Sequence, residues 1–167
     1  MNTKFLVRSA IVGAVYAALT IILAPISYGM VQFRVSELMT LLVFINPAYI
    51  PGLLVGCFAA NLMGAGGMID AVFGTLASAF AFLIMVFARK IKNKNIGLII
   101  ASLGPALSSF IIALEMKVAL HDKESFLLWC GSVAIGELVV VTLAGVPLYK
   151  YILGKKNIMK VISGIKE

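Results

Sequence analysis

Long apolar stretches alternate with short polar segments along the whole chain. Four of the stretches, 9–28, 68–88, 96–118 and 126–149, each reach the roughly 20 residues with which an α-helix crosses the hydrocarbon core of a bilayer. A fifth stretch, 35–63, is longer than a single crossing requires. The pattern therefore predicts a chain of membrane-spanning helices joined by short loops.

Two prolines divide the fifth stretch near its middle, in the dipeptides Asn46-Pro47 and Pro51-Gly52. Proline lacks a backbone N–H and clashes with the preceding turn, so it tends to end the helix before it. We therefore interpret this stretch as a short helix, a tight turn and a further helix. The chain is then one all-α integral membrane domain, 1–167, with six transmembrane helices at approximately 9–28, 35–46, 48–63, 68–88, 96–118 and 126–149.

Composition agrees with a membrane domain. Hydrophobic residues make up 62% of the chain and charged residues only 13%, with a mean hydropathy of +1.07, whereas soluble domains are about half apolar and a quarter charged. This excludes a soluble globular fold. The first apolar stretch leads directly into further membrane sequence, so we interpret it as a retained helix and not as a cleaved signal.

The basic residues predict the orientation of the six helices. If the N-terminus is inside, 11 of the 14 Lys and Arg residues fall on the inner side, against Arg34, Lys117 and Lys123 outside, as the positive-inside rule requires. We therefore expect a multi-pass protein of the bacterial plasma membrane with both termini cytoplasmic. The inner residues are Lys4, Arg8, Arg89, Lys90, Lys92, Lys94, Lys150, Lys155, Lys156, Lys160 and Lys166.

The acidic residues show the opposite distribution. Only Glu167 is clearly cytoplasmic, and the other six acids lie in outer loops or within helices. The net charge of +7 does not indicate nucleic-acid binding, because the cations form short clusters without the interleaved aromatic residues of such surfaces. The outer-half acids are Glu37, Asp70, Glu115, Asp122, Glu124 and Glu137.

Two of these acids lie within apolar runs, Glu115 in "SSFIIALEMKVAL" and Glu137 in "SVAIGELVVV". A charged side chain at the centre of a membrane helix costs about 2.5–3.5 kcal/mol on insertion scales, so one that persists normally faces a cavity or a partner. Trp129 and Val133 precede Glu137 at intervals of four and share its helix face. We expect a binding or proton-linked role for both carboxylates.

The remaining polar candidates have structural alternatives. Arg34 and Glu37 are spaced for a local ion pair, and Asp70 is placed to cap the fourth helix. His121 to Glu124 are typical of a solvated loop. The candidate site is an outward-open pocket for a small polar ligand that offers hydrogen-bond donors or a positive charge, formed by Gln32, Arg34, Glu37, Asn61, Asp70, Glu115, Trp129 and Glu137.

A stripe of small residues runs along the first helix, where Ala10, Ala14 and Ala18 recur every fourth position. Such stripes allow close helix approach. The stripe is compatible either with packing inside the bundle or with docking of a partner helix from outside. The third helix carries a similar pattern with Gly52 and Gly56, for which packing within the bundle is the simpler interpretation.

The sequence contains no pattern for catalysis or metal binding. There is no Walker motif or nucleophile elbow, and Cys57 and Cys130 form neither a CxxC pair nor a metal-ligand spacing. No catalytic residue, cofactor or metal is predicted.

Three blocks of the chain resemble the QueT family, the queuosine-precursor substrate-binding subunits (S-components) of energy-coupling factor (ECF) transporters. They are "VQFRVSELMTLL" (31–42), "PAYIPGLLVGCFAANLMGAGGMIDAVFGTLAS" (47–78) and "GELVV" (136–140). The resemblance implies a six-helix membrane protein that captures a 7-deazaguanine such as queuine, 7-aminomethyl-7-deazaguanine (preQ1) or its nitrile precursor (preQ0) from outside.

The resemblance also implies partners. Such S-components associate with a transmembrane coupling subunit and two cytosolic ATPases, and the AxxxA stripe at Ala10, Ala14 and Ala18 would be the docking surface for the coupling subunit. ATP hydrolysis in the partners would then drive a toppling of the S-component in the membrane. The chain itself is not expected to be an enzyme.

For the ligand we hypothesise that Glu137 or Glu115 accepts hydrogen bonds from the guanine-like N1–H and amine edge. Trp129 would stack on the ring, and Asn61 or Gln32 would meet the carbonyl. Asp70 or Glu37 would meet an aminomethyl cation. Alternatives are an S-component for another vitamin, a stand-alone proton-coupled carrier using Glu115 and Glu137, and an intramembrane enzyme acting on lipid.

Overall fold

The computed structural model describes residues 3–163, and these are helical or loop, without any strand. A one-turn helix, Ala24–Ser27, follows the first helix, and Pro25 stands at its start. Lys166 and Glu167, which the charge pattern assigns to the inner side, lie outside the described residues. The main helices are α1 (Thr3–Ile22), α2 (Val35–Ile45), α3 (Pro47–Leu62), α4 (Met68–Ala88), α5 (Lys94–Ala119), α6 (Phe126–Leu153) and α7 (Lys156–Ser163).

Four of these helices are long and apolar enough to cross a membrane: α1, α4, α5 and α6. Helices α2 and α3 are apolar but shorter, and most of α2 has the tighter 3₁₀ geometry. Within 35–63, α2 ends at Ile45 and the Asn46 side chain accepts a hydrogen bond from the Ala48 N–H at 3.0 Å, just before α3 begins. The first helix begins at Thr3, earlier than predicted, and ends at Ile22. The one-turn helix Ala24–Ser27 then continues the helical hydrogen bonds as far as Tyr28.

Helices α1 and α3 pack with their backbones in contact. A Cβ atom added to Gly13 would lie 2.0 Å from the Gly52 carbonyl oxygen, and one on Gly52 would lie 1.9 Å from the Ser9 carbonyl oxygen. The Gly52 N–H donates to the Ser9 hydroxyl at 3.1 Å across the same interface. Small residues are therefore required here for close packing, as the α3 pattern indicates.

Hydrogen bonds gather the basic helix ends at one end of the bundle. Arg8 at the start of α1 donates to the Val161 carbonyl of α7 at 3.0 Å. Arg89 after α4 donates to the Ile45 carbonyl at 3.2 Å. At the opposite end, the Tyr28 hydroxyl donates to a carbonyl near the end of α3 at 2.6 Å. The start of α1 and the end of α6, which leads into α7, thus share the basic end.

The apolar core is divided into two clusters. The larger one packs α1, α2 and α3 against α4, α5 and α6 through side chains such as Leu41, Leu53 and Met85. The smaller one surrounds Trp129 and Val133 near the start of α6. Polar side chains line the space beside this smaller cluster.

Candidate functional site

Two adjoining cavities lie between the helices, an inner one of about 30 Å³ and an outer one of about 100 Å³. They share the lining residues Gln32, Arg34, Gly74 and Ile112. The structure brings all eight sequence-predicted site residues to these cavities. Glu37 and Glu137 line the inner cavity; Asn61, Asp70, Glu115 and Trp129 line the outer one; Gln32 and Arg34 line both.

The inner cavity places two buried carboxylates around one guanidinium group. Glu37 accepts a hydrogen bond from the Tyr16 hydroxyl of α1. Glu137 is 6% exposed, and its Oε2 atom has no hydrogen-bond partner among the residues that the structure describes. Arg34 lines the same cavity as both carboxylates. Since a buried acceptor without a partner is costly, the free oxygen of Glu137 is suited to a ligand N–H.

Arg34 is held between the two cavities by its own contacts. Its Nε donates to the Ser27 carbonyl at 3.2 Å, and its guanidinium carbon lies 5.5 Å from the centre of the Tyr28 ring. Arg34 and Glu37 therefore have separate hydrogen-bond partners, Ser27 and Tyr16. Both side chains nevertheless line the same cavity, where the guanidinium contributes a fixed positive charge.

The outer cavity holds a second pair of acids. Glu115 and Asp70 both line this cavity, and Glu115 Oε1 has no hydrogen-bond partner among the described residues. Asp70 Oδ2 accepts from the Gly66 N–H at 2.8 Å, just before α4 begins. Asp70 thus hydrogen-bonds the backbone just before its own helix and also lines the cavity. Two carboxyl groups lining one cavity make this part of the site suited to a cation.

Asn61 presents an acceptor to the outer cavity. Its Nδ2 donates to the Cys57 sulfur at 3.2 Å, and its buried Oδ1 has no hydrogen-bond partner among the described residues. In this orientation Oδ1 is available to a ligand N–H, and the Cys57 contact uses only one of the two Nδ2 hydrogens. Asn61 and Gln32 therefore both remain candidates for the predicted carbonyl contact, and Gln32 lines both cavities.

Trp129 is anchored by the loop between α5 and α6. Its indole N–H donates to Asp122 Oδ1 at 3.0 Å, and the Lys117 ammonium donates to the Asp122 carbonyl at 2.6 Å. The indole hydrogen bond, together with the Glu124 backbone N–H, holds the pKa of Asp122 below its ordinary value. The sequence interpretation of Asp122 as part of a solvated loop missed this link, which orients the ring beside the outer cavity.

Glu115 and Glu137 both occur where their helices change geometry. Glu115 is the first residue of the π-helical segment Glu115–Ala119, and Glu137 directly precedes the π-helical segment Leu138–Gly145. Such wider turns are common at functional sites in helices. Because a π-turn shifts the register of the side chains, regular helical spacing does not predict which residues beyond each carboxylate face the cavities.

Sequence reasoning missed the polar residues that α1 contributes. Besides Tyr16, the Thr20 hydroxyl lies 2.6 Å from the Ser36 hydroxyl. The available signal was the position of Tyr16 in the middle of an apolar helix, where its hydroxyl needs a partner. Its partner lies 21 positions away and was not predictable from spacing.

The small-residue stripe of α1 lies beside an open apolar groove of about 300 Å³ between α1 and α3. Ala10 and Ala14 line this groove together with Val55 and Ala59 of α3. Ala18 is exposed on the same helix but does not line the groove. The stripe is thus only partly used for packing within the bundle, since its alanines remain accessible.

The fold and the cavities define a class: a multi-helix membrane protein with an internal, acid-rich polar pocket. The family model described as QueT transporter matches residues 6–154. The chain is also 34% identical over 147 residues to the "Queuosine precursor transporter QueT" of Lactococcus lactis subsp. cremoris (strain MG1363), covering 81% of this chain and 85% of that protein. No solved structure matches the chain.

The chain therefore belongs to the QueT transporter family. It is a multi-pass protein of the cell membrane with a role in transport.

Proposed function

We propose that this chain is the substrate-binding S-component of an ECF transporter and captures a 7-deazaguanine precursor of queuosine from outside the cell. The observation that carries the proposal is the set of buried acceptors around the cavities. Within residues 3–163, Glu115 Oε1, Glu137 Oε2 and Asn61 Oδ1 have no hydrogen-bond partner. A ligand rich in N–H donors would satisfy them, and 7-deazaguanines present such donors around the ring.

The arrangement of the cavities supports particular contacts. Glu137 or Glu115 would accept the N1–H and amine edge, because a carboxylate receives two parallel N–H bonds better than a neutral side chain. Trp129 would stack on the ring, and Gln32, which lines both cavities, would donate to the carbonyl. Arg34 would hold the inner acids in place.

The two acids that line the outer cavity, Asp70 and Glu115, favour a ligand with a positively charged substituent. Of the two residues predicted to meet an aminomethyl cation, Glu37 already accepts the Tyr16 hydroxyl, whereas Asp70 lines the outer cavity together with Glu115. Asp70 is therefore the better candidate. Among the three precursors, preQ1 and queuine have an amine at this position and preQ0 has an uncharged nitrile.

We propose further that six helices cross the membrane with both termini cytoplasmic. Helices α2 and α3 would provide two of the crossings despite their shorter length. The grouping of Arg8, Arg89 and α7 at one end of the bundle supports this topology, because it places the clustered cations on a single side.

Transport would need partners. The accessible alanines Ala10, Ala14 and Ala18 would dock a transmembrane coupling subunit, and two cytosolic ATPases would supply the energy for toppling. Helix α1 carries both this surface and Tyr16, which bonds the cavity-lining Glu37. A single helix thus connects the proposed docking surface with the proposed binding site.

The test uses the only tryptophan of the chain, Trp129. Purified protein is titrated with preQ1, and the intrinsic fluorescence is expected to change saturably, with biotin as a control ligand that leaves it unchanged. Mass spectrometry of small molecules released from the purified protein provides an independent assignment. Absence of any response to preQ1, preQ0 and queuine, or a folate or flavin in the extract, would contradict the substrate proposal.

The same buried acids allow the competing function of a stand-alone proton-coupled carrier. The two functions differ in what drives uptake. Reconstitution of the chain alone in vesicles with an imposed pH gradient is expected to give binding without accumulation of preQ1. Accumulation that depends on the gradient and is lost in Glu115→Gln would instead identify a carrier.

A further inference from the structure

A separate cavity of about 370 Å³ lies at the basic end of the bundle, away from the candidate substrate site. It is formed where α2, the end of α4 and the start of α5 meet the segments around α7. Three cations line it, and its remaining wall is mainly apolar. The principal lining residues are Arg89, Lys90, Lys94, Phe44, Leu153 and Met159.

The three cations of this cavity make contacts with the surrounding protein that use only some of their N–H groups. Arg89 uses Nη2 on the Ile45 carbonyl at 3.2 Å, and the Lys94 ammonium donates to the Arg89 carbonyl at 2.7 Å. Lys90 lies over the Phe87 ring at 5.2 Å. Each of these groups has more N–H donors than these contacts use.

No carboxylate lines this cavity among the residues that the structure describes. The acids Glu37, Glu115 and Glu137 line the substrate cavities instead. No described residue of the cavity wall therefore neutralises the three cations, and the cavity is complementary to an anion.

The apolar wall distinguishes between possible anions. Phe44 is buried in the core, and Leu153 and Met159 pack against the same core. The cavity also lies where the membrane-spanning candidates α4 and α5 end and begin, next to Ala88 and Lys94. A fully hydrated inorganic anion gains nothing from such a wall, whereas an amphipathic anion places its charge on the cations and its chain on the apolar side.

We propose that this cavity binds an anionic phospholipid. The phosphodiester headgroup would lie on Arg89, Lys90 and Lys94, and an acyl chain would run along Leu153 and Phe44. Basic pockets at the cytoplasmic ends of membrane helices bind acidic lipid headgroups in this manner. The site does not depend on which substrate the protein transports.

The experiment measures lipid binding to the purified full-length chain by native mass spectrometry, with dioctanoyl phosphatidylglycerol as the anionic probe and dioctanoyl phosphatidylcholine as the neutral one. The test variant is the double substitution Lys90→Gln with Lys94→Gln, in which both side chains are exposed. The matched control is Lys92→Gln with Lys150→Gln. These two substitutions remove the same amount of charge, but neither residue lines the cavity.

Phosphatidylglycerol is expected to bind the unaltered chain more tightly than phosphatidylcholine. The test variant should lose about fivefold in affinity for each charge removed, while the control changes much less. Replacing Lys90 and Lys94 by Arg should retain binding, since the positive charge is kept. Equal losses in the test and control variants would show only diffuse surface attraction and would overturn the site.

A competition experiment distinguishes a lipid headgroup from a free phosphate ester as the bound anion. Glycerol 3-phosphate, which has the anion without acyl chains, should displace the lipid only at far higher concentration than unlabelled phosphatidylglycerol does. Displacement at similar concentrations would identify a site for a free phosphate ester, or for an adventitious anion, and would overturn the assignment to lipid. Equal binding of phosphatidylcholine would overturn the proposed role of the cations.

Discussion

Tyr16, in the middle of α1, donates its hydroxyl hydrogen to Glu37, which lines the inner cavity. The phenol is 1% exposed and the carboxylate 5% exposed. This contact joins the helix that carries the alanine stripe to the candidate binding site. It provides a direct way to ask whether α1 and the site are coupled.

Replacing Tyr16 by Phe removes the donor without changing the shape of the ring. Loss of one partner from a buried polar pair costs about 1–3 kcal/mol, so we expect a lower melting temperature and weaker binding of preQ1 in the fluorescence titration. Tyr151→Phe is the control, because Tyr151 is exposed and lies away from the site. Unchanged binding in Tyr16→Phe would show that the candidate site does not need the contact between Tyr16 and Glu37 to bind ligand.

Replacing Glu137 by Gln removes a charged acceptor from the inner cavity. If Glu137 accepts the ligand's N–H groups, affinity for preQ1 should fall roughly tenfold or more, equivalent to about 1.4–3 kcal/mol. Calorimetry on the purified variant measures this loss. Glu124→Gln, in the exposed loop, should bind normally. Equal affinities for both variants would remove Glu137 from the proposed contacts.

The link between Asp122 and Trp129 predicts a pH response. The indole N–H holds the pKa of Asp122 below its ordinary value, so the stabilisation is present above the unfolded-chain pKa of about 3.9 and is lost as the pH falls through the lower folded value. The emission of Trp129 should therefore shift on acidification below about pH 4.

The control variants separate this link from general acid unfolding. Asp122→Asn should abolish the acidic shift in emission, while Glu124→Gln should keep it, because Glu124 contacts Asp122 through its backbone N–H and not through its side chain. A shift of the same size in Asp122→Asn would show that another group titrates beside the indole.

The proposed docking surface is tested by enlarging one alanine. Ala14→Trp should prevent co-purification with the coupling and ATPase subunits, because the bulky ring would fill the groove beside α3. The fluorescence response to preQ1 should be retained, since Ala14 does not line the substrate cavities. Ala144→Trp, also exposed, is the matched control. Loss of partners in both variants would point to a general disturbance of the bundle.

The contact between α1 and α3 predicts a large effect of a single methyl group. Gly13→Ala would place a Cβ atom 2.0 Å from the Gly52 carbonyl oxygen, and since backbone must move, we expect destabilisation at or above the roughly 1–3 kcal/mol typical of overpacking. Gly131→Ala meets nothing within 4 Å and should have little effect. Thermal melting of both variants in detergent measures the difference. Equal melting temperatures would contradict the close packing.

The sequence by itself determined the all-helical membrane character of the chain. It also predicted a break in 35–63 at Asn46-Pro47 and a set of candidate site residues, which the structure brings to two cavities. These properties are local: hydropathy over about 20 residues, the missing N–H of proline, and a charge within an apolar run can each be read without knowing the neighbours. The sequence did not predict the interruption of helix at Leu23, after which the one-turn helix Ala24–Ser27 follows with Pro25 at its start.

Only the tertiary structure decided how the candidate residues are grouped. It placed Glu37 and Glu137 with Arg34 in one cavity and Asp70 with Glu115 in another, it paired Tyr16 with Glu37 and Trp129 with Asp122, and it clustered Lys90 and Lys94 in a separate cavity. Such groupings arise from helix packing and from π-turns that shift side-chain register. They join residues far apart in sequence, so no local pattern determines them.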